Sequence, residues 1–302
     1  MGQLQERYKN YREPQKYMAA GVYPYFREIT SKQMTEVTDI DGHKILMFGS
    51  NAYQGLTNDQ RVIDAAKAAL DKYGSGCAGS RFLNGTLDLH VQLEKELAEF
   101  MGKDETLCFS TGFSVNQGVL ACVVGRNDYI ICDDRDHASI VDGRRLSFAT
   151  QLHYKHNDME DLERVLSKLP EEAIKLIVVD GVFSMEGDLA NLPEIVKLKH
   201  KYNCSIMVDE AHGLGVFGKQ GRGVCDHFGL TDEVDLIMVH SLRVWLLSAV
   251  SSHQTRIRST SSVTTAVLIS SAHLTLQLPQ QQLSRLSTLF RMSQSVSRIS
   301  GM

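Results

Sequence analysis

The stretch Ile206-Met207-Val208-Asp209-Glu210-Ala211-His212-Gly213 predicts the fold class of this chain. An apolar run ends in the carboxylate of Asp209, and His212 follows three residues later. Apolar runs of this length, bounded by turn residues, are typical of buried strands. In open α/β sheets, ligands bind beyond the carboxyl ends of the strands, which is where Asp209 would lie. Taken alone, the stretch is equally consistent with a strand-end aspartate that caps a loop.

Predicted strands and helices alternate on both sides of this stretch. The strands are expected at residues 106–110, 129–132, 152–154, 175–180, 205–208 and 235–238. The helices are expected at residues 57–73, 86–101, 114–124, 139–149, 159–169 and 192–202. This alternation is typical of an α/β fold with a mostly parallel sheet covered by helices. Residues 1–45 are expected to form an N-terminal arm, and residues 46–238 one large domain.

The composition is that of a globular protein and argues against several function classes. Hydrophobic residues make up 43% of the 302 residues. A net charge of −4 gives no reason to expect nucleic acid or an acidic membrane surface as a partner. No apolar run could cross a bilayer, and the N-terminus lacks the apolar core of a signal peptide, so a cytoplasmic protein is expected. The six cysteines are scattered, which favours free thiols and gives no support for a metal site.

Polar side chains follow four of the predicted strands. Residues 110–113 join a strand to a helix, and the free N–H groups at such a helix start can bind a phosphate. His137 follows the next strand, Ser184 follows a later one, and Asp209 and His212 complete the set. Each has an ordinary structural explanation, for example a histidine that caps a helix. Together, at one edge of a parallel sheet, they indicate a ligand site.

Five stretches of the chain also carry a family resemblance. They are Asn51-x-Tyr53-x-Gly55-Leu56, Ser110-Thr111-Gly112-Phe113, Asp136-His137-Ala138-Ser139, Gly181-Val182-Phe183-Ser184-Met185-Glu186-Gly187-Asp188 and Val208-Asp209-Glu210-Ala211-His212-Gly213. Residues 15–238 resemble the α-oxoamine synthases, which have the fold of type I aminotransferases. The resemblance implies pyridoxal 5'-phosphate as the cofactor, and an amino acid and an acyl-CoA as substrates that condense with loss of carbon dioxide. It also implies a homodimer with the active site at the subunit interface.

Two further segments narrow the resemblance to one branch of the family. Gly21-Val22-Tyr23-Pro24-Tyr25-Phe26-Arg27 and Gly79-Ser80-Arg81-Phe82-Leu83-Asn84-Gly85-Thr86 are most similar to bacterial serine palmitoyltransferases. That branch would use serine and a long-chain acyl-CoA in the first step of sphingolipid synthesis. Sister synthases that use glycine or alanine, of the 2-amino-3-ketobutyrate CoA ligase or 8-amino-7-oxononanoate synthase type, remain the alternative.

The resemblance implies a role for individual residues. His137 would stack on the pyridine ring as a catalytic residue, and Asp209 would keep the ring nitrogen protonated, so that the ring accepts electrons. Ser184 and His212 would hydrogen-bond the ring hydroxyl. The residues expected at the cofactor phosphate are Ser110, Thr111, Gly112 and Phe113. The residues expected nearer the substrates are Asn51, Tyr53 and Arg81.

The lysine that such an enzyme needs is absent from this chain. It is expected soon after the strand at 235–238, in a segment Gly-Thr-Phe-Ser-Lys-Ser-Leu-Ala, where it would form the Schiff base and move the α-proton of the substrate. Residues 238–246 instead read Met-Val-His-Ser-Leu-Arg-Val-Trp-Leu, and Lys219 is the last lysine. From His240 onwards there is no Asp, Glu or Lys, whereas there are six Arg and fifteen Ser.

A second reading frame restores the missing segment. Codons permitted for the residues from His240 onwards can be chosen so that, read two bases later, they encode Phe-Ser-Lys-Ser-Leu-Ala-Ser-Leu-Gly-Gly-Phe-Val. A single-base deletion would therefore explain a frameshifted and truncated protein in which residues 239–302 form a tail without a native fold. The C-terminal small domain would be missing, and the chain would be inactive. A lysine-less, non-catalytic partner subunit is the alternative, but evolved loss usually substitutes the lysine and keeps the fold.

Overall fold

The computed structural model describes residues 2–23, 25–241 and 244–249, and the chain divides into two compact units, one ending at Gly74 and one beginning at Ser75. The expected division after residue 45 falls inside the first unit and stays a prediction. None of the helices in these described ranges has the length and the apolar character needed to cross a membrane.

Within its described residues, the first unit contains three α-helices and a small antiparallel sheet. The helices are α1 (Gln3–Asn10), α2 (Glu13–Ala19) and α3 (Gln60–Tyr73), and the paired strands are β1 (Glu36–Thr38) and β2 (Lys44–Leu46). The helix predicted from residue 57 begins later, because residues 56–58 form a separate 3₁₀ turn. Asp59 then caps α3 by accepting a hydrogen bond from the backbone N–H of Arg61.

The described part of the second unit is built on a seven-stranded sheet in the order β3-β9-β8-β7-β6-β4-β5. Its strands are β3 (Glu105–Phe109), β4 (Tyr129–Asp133), β5 (Thr150–Tyr154), β6 (Lys175–Asp180), β7 (Ser205–Asp209), β8 (Leu236–Ser241) and β9 (Val244–Ala249). The five neighbouring strands β8, β7, β6, β4 and β5 are parallel to one another, whereas β9 is antiparallel to both of its neighbours, β3 and β8. The prediction of an α/β fold with a mostly parallel sheet is confirmed.

Helices cover both faces of this sheet. They are α4 (Asp88–Met101), α5 (Gly112–Val123), α6 (Ala138–Leu146), α7 (Met159–Leu166), α8 (Leu192–Tyr202) and α9 (Val224–His227). Alternate strand residues enter two separate cores, because side chains of a strand point to opposite faces. Ile177 and Val179 of β6 pack in the core with α7 and α8, and Leu176 and Val178 pack in the core with α5 and α6.

Strand β9 lies in the segment for which the sequence predicts no native fold. The predicted alternation stops at residue 239, but β8 continues to Ser241 and β9 follows it. An apolar, β-branched and aromatic run such as 244–249 favours a strand. It connects β3 to the rest of the sheet, because β3 is hydrogen-bonded to β9 and β9 to β8. Most of the segment 239–302 lies outside the described residues, so its lack of a native fold stays a prediction.

Candidate active site

The carboxyl ends of the strands bring the predicted loops to one edge of the sheet. Asp180, the last residue of β6, lies beside Asp209, the last residue of β7. Strand β3 runs in the same direction as β8, since both are antiparallel to β9, and Phe109 and His240 both lie opposite Trp245. The loops that follow β3, β4, β6 and β7 therefore start at the same edge, as the sequence predicts.

Asp209 is the buried carboxylate of this site. It is 3% exposed, its Oδ2 accepts a hydrogen bond from Asn116 Nδ2 at 2.8 Å, and its Oδ1 accepts one from the backbone N–H of Ala211 at 2.9 Å. Burial raises the pKa of Asp209, whereas these two hydrogen bonds and the nearby His137 and His212 act to lower it. The carboxylate is thus desolvated but held by donors, and it is suited to pair with a cation.

His137 caps α6 and presents its ring at the surface. Its backbone N–H donates to Asp180 Oδ2 at 2.9 Å, which fixes the start of the helix against the neighbouring strand. Its Nδ1 lies 2.7 Å from Ser139 Oγ and accepts a hydrogen bond from the backbone N–H of Ser139 at 3.2 Å. The residue is exposed, so a flat ligand could lie on the ring without displacing protein groups.

The turn between β3 and α5 leaves the start of the helix open to a ligand. Thr111 is the N-cap of α5, and its Oγ1 accepts a hydrogen bond from the backbone N–H of Ser114 at 3.0 Å. Ser110 and Thr111 are exposed, and Phe113 is 40% exposed. The first N–H groups of a helix have no partner within it, so those of Gly112 and Phe113 are suited to bind a phosphate.

Ser184 and His212 lie on the loops that follow β6 and β7. Ser184 is exposed on a tight loop that is closed by a hydrogen bond from the backbone N–H of Phe183 to the carbonyl oxygen of Asp188 at 3.0 Å. His212 is partly buried three residues after Asp209. The register of β6 with β7 brings the starts of these two loops together.

The predicted substrate residues are divided between the two units. Asn51 and Tyr53 lie in the first unit, on the segment between β2 and α3, and their role stays a prediction. Arg81 lies in the second unit and is bound by both oxygens of Glu94, at 2.6 and 3.0 Å. Arg81 Nη1 also donates to the carbonyl oxygen of Cys108, and Glu94 Oε1 accepts the N–H of Cys108. The pair therefore satisfies the main-chain N–H and carbonyl groups of Cys108 on strand β3.

Several supporting residues of the site were not predicted. Asn116 and Ser139 connect Asp209 to His137, and Asp180 holds the backbone of His137. Asn116 could have been found from the sequence, because it is a polar residue between Val115 and Val119 in a mostly apolar part of helix α5.

A second polar cluster includes the buried Asp133 and Asp136, which precede His137 in the sequence. Asp136 Oδ1 accepts the N–H of Asp180 at 3.1 Å, and Asp136 Oδ2 accepts the N–H of Asp133 at 3.0 Å. His156 then bridges Asp133 and Asp188, with its Nδ1 2.9 Å from Asp133 Oδ1 and its Nε2 3.1 Å from Asp188 Oδ2. These contacts connect the loops after β4, β5 and β6, and so they fix the place of His137.

Known proteins with similar sequences cover most of the chain. The family described as aminotransferase class I and II matches residues 43–242. A serine palmitoyltransferase of Bacteroides ovatus is 76% identical over 238 residues, which are 79% of this chain and 60% of that protein. An 8-amino-7-oxononanoate synthase of Thermosipho melanesiensis is 47% identical over 216 residues, 72% of this chain and 55% of that protein. The chain thus spans less than two thirds of the length of these relatives.

Solved structures show the same fold. A serine palmitoyltransferase from S. paucimobilis, solved with a bound PLP–myriocin aldimine, is 34% identical and has a TM-score of 0.79. The similarity covers 89% of this chain and 72% of that one. Its likeness includes the parallel sheet and the helices on both faces.

Proposed function

Because the chain belongs to the aminotransferase class I and II family, we propose that its residues up to 238 are the cofactor-binding part of a pyridoxal-phosphate-dependent acyltransferase. The reaction is the condensation of serine with a long-chain acyl-CoA, with loss of carbon dioxide, as the first step of sphingolipid synthesis. The observation that carries the proposal is the buried carboxylate of Asp209, held beside an exposed His137 and an open helix start. The active form is a homodimer.

The residues present fit pyridoxal phosphate. A buried carboxylate suits a protonated ring nitrogen, an exposed imidazole suits the face of the ring, and the helix start at Gly112 and Phe113 suits a phosphate. Ser184 and His212 supply hydrogen-bonding groups for the ring hydroxyl. When bound, the cofactor supplies an electron-accepting ring that stabilises a carbanion next to nitrogen.

The side chains of the site have defined tasks in this reaction. Asp209 keeps a proton on the ring nitrogen, because its buried carboxylate is an acceptor for that proton. His137 orients the ring by stacking on it. Asn51, Tyr53 and Arg81 act on the substrates. These tasks are binding and orientation, which the described residues can perform without the missing lysine.

Serine is favoured over glycine or alanine by the degree of similarity. Identity is 76% to the serine palmitoyltransferase of Bacteroides ovatus and 47% to the 8-amino-7-oxononanoate synthase of Thermosipho melanesiensis. A sister synthase that uses glycine or alanine is the second candidate, since it would share the same cofactor clamp. The choice of amino acid in an assay separates the two.

The tail is proposed to be an out-of-frame product, and the chain as written is proposed to be inactive. The family match ends at residue 242, and the similarity to the Bacteroides ovatus protein extends over 238 residues. Lys219 is the last lysine of the sequence, so the segment after β8 has no group that could form the Schiff base. The alternative is a lysine-less partner subunit, for which the genomic sequence would encode no lysine segment in any frame.

The test uses two proteins, the chain as it is and a version continued in the second frame from residue 239. The chain should bind pyridoxal phosphate reversibly and show no condensation, and Asp209→Asn should weaken the binding. Asp142→Asn, at a side chain on α6 that is 44% exposed, is the matched control. The second version should release coenzyme A with serine and a long-chain acyl-CoA. If the chain as it is, or the version continued in the second frame, does not bind pyridoxal phosphate, the proposal is refuted. If the second version is active with glycine or alanine but not with serine, a sister synthase is favoured.

A further inference from the structure

Asn116 is a fully buried polar residue that joins two elements of the site. It lies in the first half of α5, and its side chain is 0% exposed. Its Nδ2 donates to Asp209 Oδ2 at 2.8 Å and to Ser139 Oγ at 2.8 Å. It therefore contacts the carboxylate on β7 and the first turn of α6 at the same time.

The direction of these hydrogen bonds follows from the chemistry of the groups. The Asp209 carboxylate is an acceptor, so the amide of Asn116 must turn its NH₂ group towards it, and that group has two hydrogens to donate. Ser139 Oγ accepts the second hydrogen. The hydroxyl hydrogen of Ser139 is then free for Nδ1 of His137, which lies 2.7 Å away.

The tautomer of His137 is set by the same contacts. Its Nδ1 also accepts the backbone N–H of Ser139 at 3.2 Å, so both contacts treat Nδ1 as an acceptor. The neutral ring therefore carries its hydrogen on Nε2. In this polar chain Asn116 donates to Asp209 on one side and to Ser139 on the other, and Ser139 donates to His137, so each donor and acceptor role is assigned.

Close packing of α5 against α6 allows the hydrogen bond between Asn116 and Ser139. Gly143 lies four residues after Ser139, on the same side of α6. A Cβ added at Gly143 would lie 2.6 Å from the carbonyl oxygen of Asn116 and 3.1 Å from Leu120 Cδ1. The absence of a side chain at Gly143 thus lets α6 approach near enough for Ser139 to reach Asn116.

Packing alone does not explain an asparagine at this position. Its Oδ1 has no hydrogen-bond partner within the part of the chain that the structure describes, although the atom is buried. Buried polar atoms without a partner are disfavoured in proteins, and an apolar side chain would remove the cost. The donors on Nδ2 are the part of the side chain that the site uses.

We propose that Asn116 is a positioning residue that orients the Asp209 carboxylate and fixes the Nε2–H tautomer of His137 together. The proposal rests on the proposed function, since these two groups would clamp the ring of pyridoxal phosphate. Burial raises the pKa of Asp209, and the hydrogen bond from Asn116 opposes that rise, which agrees with a role in keeping the carboxylate ionised.

The test compares four variants of the full chain. Asn116→Leu removes both donors, and Asn116→Asp replaces them by a second acid at nearly the same shape. Ser139→Ala cuts the link to His137 and leaves the hydrogen bond between Asn116 and Asp209. Val119→Ala, a buried apolar change on the same helix, is the control for loss of packing.

Two measurements separate a positioning role from a structural one. Titration with pyridoxal phosphate, followed by fluorescence, gives its Kd. Nitrogen NMR of chain labelled in histidine gives the tautomer of His137, whose signal is assigned with His137→Gln. Both Asn116 variants should weaken binding roughly tenfold or more, as expected for a lost hydrogen bond to a charged group. They should also decrease the Nε2–H fraction of His137, because Ser139 Oγ, no longer a hydrogen-bond acceptor for Asn116, can then accept a hydrogen from Nδ1.

The remaining variants give the discriminating results. Ser139→Ala should change the His137 signature with a smaller change in Kd, and Val119→Ala should lower the Tm and change neither. Asn116→Leu with an unaltered Kd and an unaltered His137 signature would overturn the proposal. If the unmodified chain fails to bind pyridoxal phosphate, the proposed function fails. The NMR result would still decide whether Asn116 sets the tautomer.

Discussion

Glu210 Oε2 accepts a hydrogen bond from the backbone N–H of Val224 at 2.9 Å, fourteen residues along the chain. The other oxygen, Oε1, accepts the N–H of Cys225 at 2.7 Å. The side chain is fully buried between the ends of a glycine-rich loop: a Cβ at Gly213 would lie 1.9 Å from Oε2, and one at Gly223 would lie 2.6 Å from Cδ. Glu210 therefore shapes the loop that begins with Ala211 and His212.

Glu210→Gln should destabilise the fold. The amide nitrogen of a glutamine cannot accept a hydrogen bond, so one backbone N–H at the start of α9 would be left buried and unpaired. The expected loss in the free energy of unfolding is about 1–3 kcal/mol, measured by urea denaturation. Glu172→Gln, an exposed change, should have almost no effect. Equal stability of the two variants would contradict the role assigned to Glu210.

The stability of the chain should fall as the pH rises from about 4 to about 8, in part because of Asp180. Burial and the neighbouring charge of Asp209 raise the pKa of Asp180 to about 8. In that window the folded state keeps a proton that the unfolded state has lost. Asp180→Asn is neutral at every pH and can still accept the N–H of His137, so it should remove part of the fall in Tm. Asp142→Asn should leave the pH profile unchanged.

His156 should contribute a second, later loss of stability. Burial acts to lower its pKa, but the hydrogen bonds and charges of Asp133 and Asp188 outweigh burial and raise it. A raised histidine pKa stabilises the fold below the unfolded value of 6.5, and that contribution is lost as the pH rises through the folded value. Urea unfolding at about pH 6 and about pH 9 should show this loss in the parent chain.

The matched variants for this effect are His156→Gln and His153→Gln. His156→Gln is neutral at both pH values, so the difference in its free energy of unfolding between about pH 6 and about pH 9 should be smaller than in the parent chain. His153 is 65% exposed at its side chain, so its replacement should preserve the difference. An unchanged difference in His156→Gln would show that other groups carry the pH dependence.

Gly143→Ala should separate α6 from α5. The added Cβ would collide with the main chain of Asn116, which cannot move aside as a side-chain end could. Overpacking of this kind costs about 1–3 kcal/mol in the free energy of unfolding. Gly125→Ala is the control, because its Cβ would meet only Asp128 Oδ2 at 3.5 Å. If both variants melt at the same temperature, the close approach of the helices is not needed.

The order of strands and helices could be predicted because apolar periodicity is a local property. The strand at 175–180 and the helix at 192–202 have the predicted bounds. The support of the site could not be predicted in the same way. Asn116 and Asp209 are 93 residues apart in the sequence, and nothing near either residue indicates the other. Residues such as Asp209 and His137 can be identified from their motifs. The residues that hold them in place, such as Asn116, are brought into contact only by the packing of α5 on α6.

Strand β9 bears on whether the sheet can still form after a frameshift. A β-ladder is made by main-chain groups, so its partner need only be an extended apolar run, whatever codons produced it. If residues from 239 onwards are the out-of-frame product, the run 244–249 of that product still holds β3, and with it the loop at Ser110, beside β8. The sheet would then keep its strand order after a frameshift that removes the Schiff-base lysine. Structural similarity to the family would remain although the enzymatic activity is lost.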